Sequence, residues 1–189
     1  MEKVIFIDRD GVVNRDVDDY VMSWSKFDFL PNIFEALRKL TELGYKVIIV
    51  SNQAGVGKGL YTAQALADIT EKMLARIQRN GGRIYSVHYC PHRDDEDCVC
   101  RKPKVGLFKQ AVASLSVDLR EAFVVGDTER DILAGKRLGC PTILVLCGKT
   151  KTREAVGNFA ARPDFIAEDL LDAVNTIIAR REQGNYGIY

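Results

Sequence analysis

The chain has 189 residues, of which 47% are hydrophobic and 28% are charged, proportions typical of a globular protein with a substantial core. Its 27 basic and 26 acidic residues give a formal net charge of +1, which does not point to binding of nucleic acid or of an anionic membrane. No apolar run is long enough to span a bilayer and the N-terminus lacks signal-peptide features, so we expect a cytoplasmic protein.

Short apolar runs alternate with segments of helical periodicity along the chain. Strands are predicted at residues 4–7, 46–51, 84–89, 122–126 and 142–146, and helices at residues 32–43, 62–79, 107–115, 129–138 and 170–181. This alternation predicts an α/β fold, a three-layer, doubly wound (Rossmann-like) parallel sheet. We expect a single domain over residues 1–189 and a poorly ordered tail at residues 184–189.

Polar side chains follow the predicted strands. Asp8 and Asp10 follow the first strand, Ser51 ends the second, and Asp127 follows the fourth. Ligands of open parallel sheets bind beyond the carboxyl ends of the strands, and clustered carboxylates there are tolerated around a hard divalent cation such as Mg²⁺. A nearby Lys102 makes sense if an anion also binds. Each residue alone is more simply a turn, a helix cap or a surface charge, but their order along the chain predicts a phosphoryl-transfer site.

Four motifs together resemble those of the haloacid-dehalogenase-like (HAD-like) phosphatases. They are Asp8-Arg9-Asp10-Gly11, Ser51, Lys102, and Gly126-Asp127 with Asp131. Val12 stands where threonine is usual in the family, and this difference removes no needed functional group.

The resemblance implies a magnesium-dependent phosphatase with a phospho-aspartyl intermediate. Asp8 is then the nucleophile, and Asp10 protonates the leaving alcohol before activating water. Ser51 and Lys102 steady the phosphoryl oxygens. The resemblance also implies that Mg²⁺ is bound by Asp8, Asp127 and the backbone carbonyl of Asp10. It implies that Asp131 supports the site without binding the ion.

Three cysteines and a histidine lie close together in the sequence. Three thiolates and one imidazole make a closed tetrahedral set for a structural Zn²⁺. A disulfide, disfavoured in a reducing compartment, and a chance cluster are the alternatives. The predicted zinc ligands are Cys90, His92, Cys98 and Cys100. We expect zinc to fix the loop over residues 90–103 so that Arg101 and Lys102 face the phosphate.

Residues 12–30 are too few for a separate cap domain, so the chain resembles a narrower cap-less group of the family. That group includes heptose-1,7-bisphosphate 7-phosphatases and histidinol-phosphate phosphatases, and the motif runs look closest to the heptose enzymes. This implies hydrolysis of the 7-phosphate of D-glycero-D-manno-heptose 1,7-bisphosphate, in the synthesis of nucleotide-activated heptose for lipopolysaccharide. Arg101 offers a bidentate fork to the second phosphate. The other implied substrate contacts are Asn52, Gln53, Ala54, Asp16, Asp19 and Tyr20.

Other functions remain open at this stage. The nearest alternative is the same chemistry on histidinol phosphate. Less expected are a phosphatase of DNA ends or phosphoproteins, a receiver-like signalling domain, whose phosphorylated aspartate ends the third strand, and a catalytically inactive binding protein. We expect a monomer acting on a small phosphorylated sugar, without nucleic-acid or membrane partners.

Overall fold

The computed structural model of the protein describes residues 1–17, 19–182 and 184. The strands in this part of the chain are β1 (Val4–Ile7), β2 (Lys46–Asn52), β3 (Ile84–Cys90), β4 (Phe123–Gly126), β5 (Thr142–Val145) and β6 (Phe165–Ala167). They form one sheet in the spatial order β3-β2-β1-β4-β5-β6, and every neighbouring pair is parallel.

Helices connect the strands. They are α1 (Ile33–Glu42), α2 (Ala54–Gly57), α3 (Ala63–Arg79), α4 (Gly106–Ala111), α5 (Glu129–Leu138), α6 (Leu170–Ala173) and α7 (Ala179–Glu182). A π-helical segment, Val174–Ile178, joins α6 to α7. None of the helices described is long and apolar enough to cross a membrane.

Both faces of the sheet are covered by helices. In β1, Ile5 and Ile7 pack into one apolar cluster, whereas Val4 and Phe6 pack into the other, as expected for side chains that alternate across a strand. The first cluster also takes the apolar faces of α1, α3 and α6, and the second takes those of α4 and α5. Burial on both faces explains why the strands are continuous apolar runs. The predicted three-layer α/β fold is therefore confirmed.

The strand order places one crevice at the carboxyl edge of the sheet. The chain runs from β1 outward to β2 and β3, then returns to pair β4 with the other side of β1. In this pairing Ile5 lies opposite Phe123 and Ile7 opposite Val125. Such a reversal of strand order is where ligands bind in open α/β sheets. Asp8, directly after β1, and Asp127, directly after β4, therefore flank this crevice.

A long loop between β1 and α1 covers the crevice. Among its described residues the loop forms one 3₁₀ turn, Trp24–Lys26, and two isolated β-bridges. A series of contacts between aromatic rings packs the loop against α1. The ring centroids are 5.2 Å apart for Trp24 and Phe27, 4.9 Å for Phe27 and Phe29, and 4.6 Å for Phe29 and Phe34. The described part of this loop thus packs against the α/β domain and does not form a separate cap domain, as predicted.

The elements differ from the sequence prediction in several places, among them the predicted helix at residues 170–181, which the π-helical segment interrupts. Strand β6 was not predicted, because three residues are too few for a periodic pattern. Helix α2 was missed because two of its four residues are glycine, which has low helix propensity. Helix α4 ends at Ala111 rather than at residue 115, because the chain continues in tighter turns, in which the Ala113 N–H donates to the Gln110 carbonyl at 3.3 Å and the Leu115 N–H to the Val112 carbonyl at 2.9 Å. The predicted poorly ordered tail lies outside the described residues, apart from Gly184.

Candidate active site

Lys102 lies beside Asp8 at the floor of the crevice. Its side chain is 3% exposed, and its Nζ lies 2.8 Å from Asp8 Oδ2 and 2.6 Å from Asp131 Oδ1. The ammonium also donates to the carbonyl oxygen of Val50 at 2.8 Å, so all three of its protons have acceptors. These two carboxylates raise the pKa of Lys102 despite its burial, which keeps it charged. The lysine therefore brings a fixed positive charge to Asp8.

Asp131 holds Lys102 in place from the start of α5. Its Oδ2 accepts from the Thr128 backbone N–H at 3.1 Å and from the Thr128 hydroxyl at 2.6 Å, completing a capping box. Its other oxygen is the one that faces Lys102. Both oxygens are therefore engaged, and this arrangement gives the supporting role predicted for Asp131 a physical basis.

Asp127 is enclosed by two glycines. A Cβ at Gly11, whose φ is +83°, would lie 2.2 Å from Asp127 Oδ2, and one at Gly148 would lie 2.1 Å from the same oxygen. The Lys149 backbone N–H donates to Oδ2 at 2.6 Å. Oδ1 accepts no hydrogen bond from any residue that the structure describes. Side chains at either glycine would displace the carboxylate, so these positions need glycine for close approach.

Three carboxylates converge at this point. One oxygen each from Asp8, Asp127 and Asp131 lies within 4.8 Å of the others. Burial, followed by the charges of Asp131 and Asp8, raises the pKa of Asp127 to about 8. Burial also raises the pKa of Asp8 to about 6, although Lys102 opposes this shift. Oxygen ligands that repel one another in this way fit a hard divalent cation such as Mg²⁺. Among the described residues Asp131 accepts three hydrogen bonds, Asp8 accepts two, from Lys102 and the Arg9 N–H, and Asp127 accepts one. Asp127 and Asp8 therefore keep the most lone pairs for an ion.

Asp10 is held by donors on several sides. The Arg9 guanidinium donates from Nη2 to both carboxylate oxygens, at 2.8 and 2.9 Å, and the Asn14 amide donates at 2.9 Å. Arg9 itself is 0% exposed and lies over the rings of Phe27 and Tyr89. Burial alone would raise the pKa of Asp10, but Arg9 and the hydrogen bonds bring it below its ordinary value. Asp10 is thus a fixed carboxylate in the free protein.

Gln53 contacts Asp10 rather than the open cavity. Its Nε2 donates to Asp10 Oδ2 at 2.7 Å and to Ser51 Oγ at 3.1 Å. The Tyr61 hydroxyl donates to Gln53 Oε1 at 2.6 Å, and burial raises the Tyr61 pKa to about 12, so it stays a donor. Gln53 is 1% exposed and does not line the cavity. Tyr61 was missed from the sequence because nothing in its spacing links it to the motifs.

A cavity of about 190 Å³ opens above Asp8 and Lys102. Six of the seven predicted substrate contacts line it, the exception being Gln53. Val17, within the same predicted stretch as Asp16 and Tyr20, also lines it. The wall further contains Val21, Thr128, Arg130 and Lys149, which the sequence did not suggest as contacts. Asn52 additionally holds the backbone of Lys102, through amide hydrogen bonds of 3.1 and 3.0 Å. The structure thus brings together Asp8, Asp10, Asp16, Asp19, Tyr20, Ser51, Asn52, Ala54, Arg101, Lys102 and Asp127.

The cysteine–histidine cluster forms a compact four-donor set. The sulfur–sulfur distances are 3.5 Å for Cys90 and Cys98, 3.2 Å for Cys90 and Cys100, and 3.4 Å for Cys98 and Cys100. His92 Nδ1 lies 3.2 Å from the Cys100 sulfur. A zinc ion with Zn–S bonds of about 2.3 Å gives a tetrahedron with edges of about 3.8 Å. A disulfide needs sulfurs about 2.05 Å apart, so that alternative is wrong. The set therefore fits a metal ion.

Known proteins resemble this chain over nearly its whole length. A family model described as HAD-hydrolase-like matches residues 99–173. A D-glycero-beta-D-manno-heptose-1,7-bisphosphate 7-phosphatase of Neisseria meningitidis serogroup A is 38% identical over 90% of this chain and 91% of its own. The corresponding protein of Pasteurella multocida is 35% identical over 91% of this chain and 95% of its own. The chain belongs to the HAD-like phosphatase family.

A solved structure agrees with the fold of this HAD-like phosphatase. The crystal structure of D,D-heptose 1,7-bisphosphate phosphatase from B. bronchiseptica, complexed with magnesium and phosphate, superposes with a TM-score of 0.87. It is 33% identical, and the match covers 94% of this chain and 99% of that one.

The loop over residues 90–103 of this HAD-like phosphatase carries Arg101 to the cavity. The Arg101 guanidinium forms an ion pair with Asp94 and donates from Nη1 to the His92 carbonyl at 3.4 Å, both partners being in the same loop. The loop is also tied to α2, since the Gly57 N–H donates to the Pro91 carbonyl at 3.0 Å. The position of Arg101 thus depends on the loop, whereas that of Lys102 depends on side chains and carbonyls of the sheet edge.

Proposed function

We propose that this phosphatase removes the 7-phosphate of D-glycero-D-manno-heptose 1,7-bisphosphate, in the supply of nucleotide-activated heptose. The observation that carries the proposal is a single cavity with Asp8 and Lys102 at its floor and Arg101 on its wall. One phosphate can then meet Asp8 while a second anionic group meets a guanidinium. The names of the relatives support this substrate.

In the first half of the proposed reaction, an Asp8 oxygen attacks phosphorus and the bond to the sugar O7 breaks. Asp10 donates its proton to that departing oxygen. The pKa of Asp10 is low in the free protein, but the negative phosphoryl group beside it raises its affinity for a proton. The Lys102 ammonium, whose three protons already have acceptors, steadies the phosphoryl oxygens through its charge, and the Ser51 hydroxyl donates to one of them.

In the second half, Asp10 takes a proton from water, and the water oxygen attacks the phosphorus of the aspartyl phosphate. The bond to Asp8 breaks and inorganic phosphate leaves. Arg9 and Gln53 keep the Asp10 carboxylate in one orientation through both halves.

Two metal ions complete the proposal. Asp8, Asp127 and the Asp10 carbonyl would hold Mg²⁺, whose charge would offset that of the phosphoryl oxygens. Cys90, His92, Cys98 and Cys100 would hold a structural Zn²⁺ in loop 90–103. We further propose that residues 1–189 act as a single domain and a monomer, on a small phosphorylated sugar.

Phosphate release from a substrate panel tests the proposal. The panel contains both anomers of the heptose bisphosphate, histidinol phosphate and a short 5′-phosphorylated DNA, each with Mg²⁺. We expect the bisphosphate to give the highest kcat/KM. A preference for histidinol phosphate would assign the enzyme to that substrate instead.

Two variants test the assigned chemistry. Asp8→Asn and Asp10→Asn should each lose turnover while keeping the wild-type unfolding profile. Acid-quench trapping with a ³²P-labelled substrate should label wild type but not Asp8→Asn. Wild-type rates in either variant would contradict the mechanism.

A further inference from the structure

A second cavity adjoins the one above Asp8. Its volume is about 240 Å³, and it lies between loop 90–103 and the start of α5. Six basic side chains line it, against two acidic ones. Arg101, Lys102 and Arg130 line both cavities. An anion extending away from Asp8 in this direction would therefore enter a region of positive potential.

Most cations of this second cavity already have acidic partners. Arg101 pairs with Asp94, and Lys104 pairs with Asp97. Lys102 is committed to the floor of the site. Arg130 is exposed, and its side chain forms no ion pair or hydrogen bond with any residue in the described ranges. Of the two arginines that line both cavities, Arg130 is therefore the one that can bind an anion without first losing a carboxylate partner.

The position of Arg130 is unfavourable for the helix that carries it. It is the second residue of α5, where the helix dipole favours acidic side chains. Its neighbours do not neutralise it, because Glu129 accepts from the Ala160 N–H and Asp131 faces Lys102 and Thr128. Residues that depart from local helix preference are expected at functional sites, and Arg130 in the first turn of α5 is such a residue.

We propose that Arg130, together with Arg101, binds the phosphate of the substrate that is not hydrolysed. This inference rests on the proposed function, since it requires a substrate with two phosphates. A guanidinium binds a phosphate dianion through two parallel N–H···O bonds, and two guanidiniums from different walls fix its position. Arg101 comes from loop 90–103 and Arg130 from α5, so the substrate spans the boundary between the two cavities.

The test compares two substrates with the holoenzyme, supplied with Mg²⁺ and Zn²⁺. One is the heptose 1,7-bisphosphate and the other is heptose 7-phosphate, which has the same reacting group but no second phosphate. The variants are Arg130→Gln and Arg130→Lys. The matched control is Arg79→Gln, which removes an exposed arginine at the far end of α3.

For Arg130→Gln, we expect the ratio of kcat/KM for the bisphosphate to that for the monophosphate to fall about 10- to 100-fold. The loss should lie mainly in KM, and Arg130→Lys should restore part of it. Arg79→Gln should keep the wild-type ratio. A wild-type ratio in Arg130→Gln, with an active wild-type enzyme, would overturn the inference and leave the proposed function intact. A wild-type enzyme inactive on the bisphosphate would overturn both.

Discussion

Asp127→Asn tests whether the ionised carboxylates at the crevice destabilise the fold when no cation is bound. The folded protein raises the pKa of Asp127 from 3.8 to about 8. Between these values the folded state holds a proton that the unfolded state releases, so stability falls as pH rises. The loss is about 1.4 kcal/mol per pH unit, or about 3 kcal/mol between pH 5 and pH 7. Asparagine does not titrate, and its amide oxygen can still accept from the Lys149 N–H.

The expected result is a variant that gains stability over wild type as pH rises. In magnesium-free buffer with equimolar zinc, the difference in unfolding free energy between Asp127→Asn and wild type should grow by about 3 kcal/mol from pH 5 to pH 7. At about 2–4 °C per kcal/mol for a chain of this size, the melting temperatures should separate by a further 6–12 °C or so. Saturating Mg²⁺ should stabilise wild type more at pH 7 than at pH 5, and should not stabilise the variant.

Urea unfolding at pH 5, 6 and 7, with and without Mg²⁺, measures these differences. Asp68→Asn, which neutralises an exposed aspartate on α3, is the matched control and should keep the wild-type pH dependence. If Asp127→Asn loses stability with pH as steeply as wild type, the pKa of Asp127 is not raised by burial and by the neighbouring carboxylates, and the reasoning is refuted.

Three further outcomes follow from the site. Gly148→Ala places a Cβ 2.1 Å from Asp127 Oδ2, so the Mg²⁺ concentration for half-maximal activity should rise at least tenfold in a magnesium titration. Gln53→Leu removes a donor to Asp10, and steady-state kinetics should show kcat about tenfold lower with KM little changed, for a lost bond of about 1–1.5 kcal/mol. Cys98→Ser should lower the zinc content measured by atomic absorption. It should reduce kcat/KM for the bisphosphate more than for p-nitrophenyl phosphate, because Arg101 depends on the loop; equal losses would contradict that dependence.

The sequence predicted the sheet and most of the site because both depend on local patterns. Apolar runs such as Val4–Ile7 gave the strands, and polar residues directly after them gave the edge where Asp8 and Asp127 meet. Contacts between distant segments could not be predicted. The Tyr61 hydroxyl reaches Asp10 only through Gln53, and Gly148 matters only because its backbone approaches Asp127. Sequence motifs and hydrophobic periodicity do not reveal which distant segments lie close together in the fold.

The anchoring of Lys102 has a consequence for how enzymes of this type can diverge. Its side chain is fixed by Asp8, Asp131 and the Val50 carbonyl, and its backbone by Asn52, all outside loop 90–103. Insertions or substitutions in that loop can therefore move Arg101 while the lysine stays beside the nucleophile. Successive mutations in the loop can then change which leaving group the enzyme accepts. Each intermediate variant keeps the ability to cleave a phosphate ester.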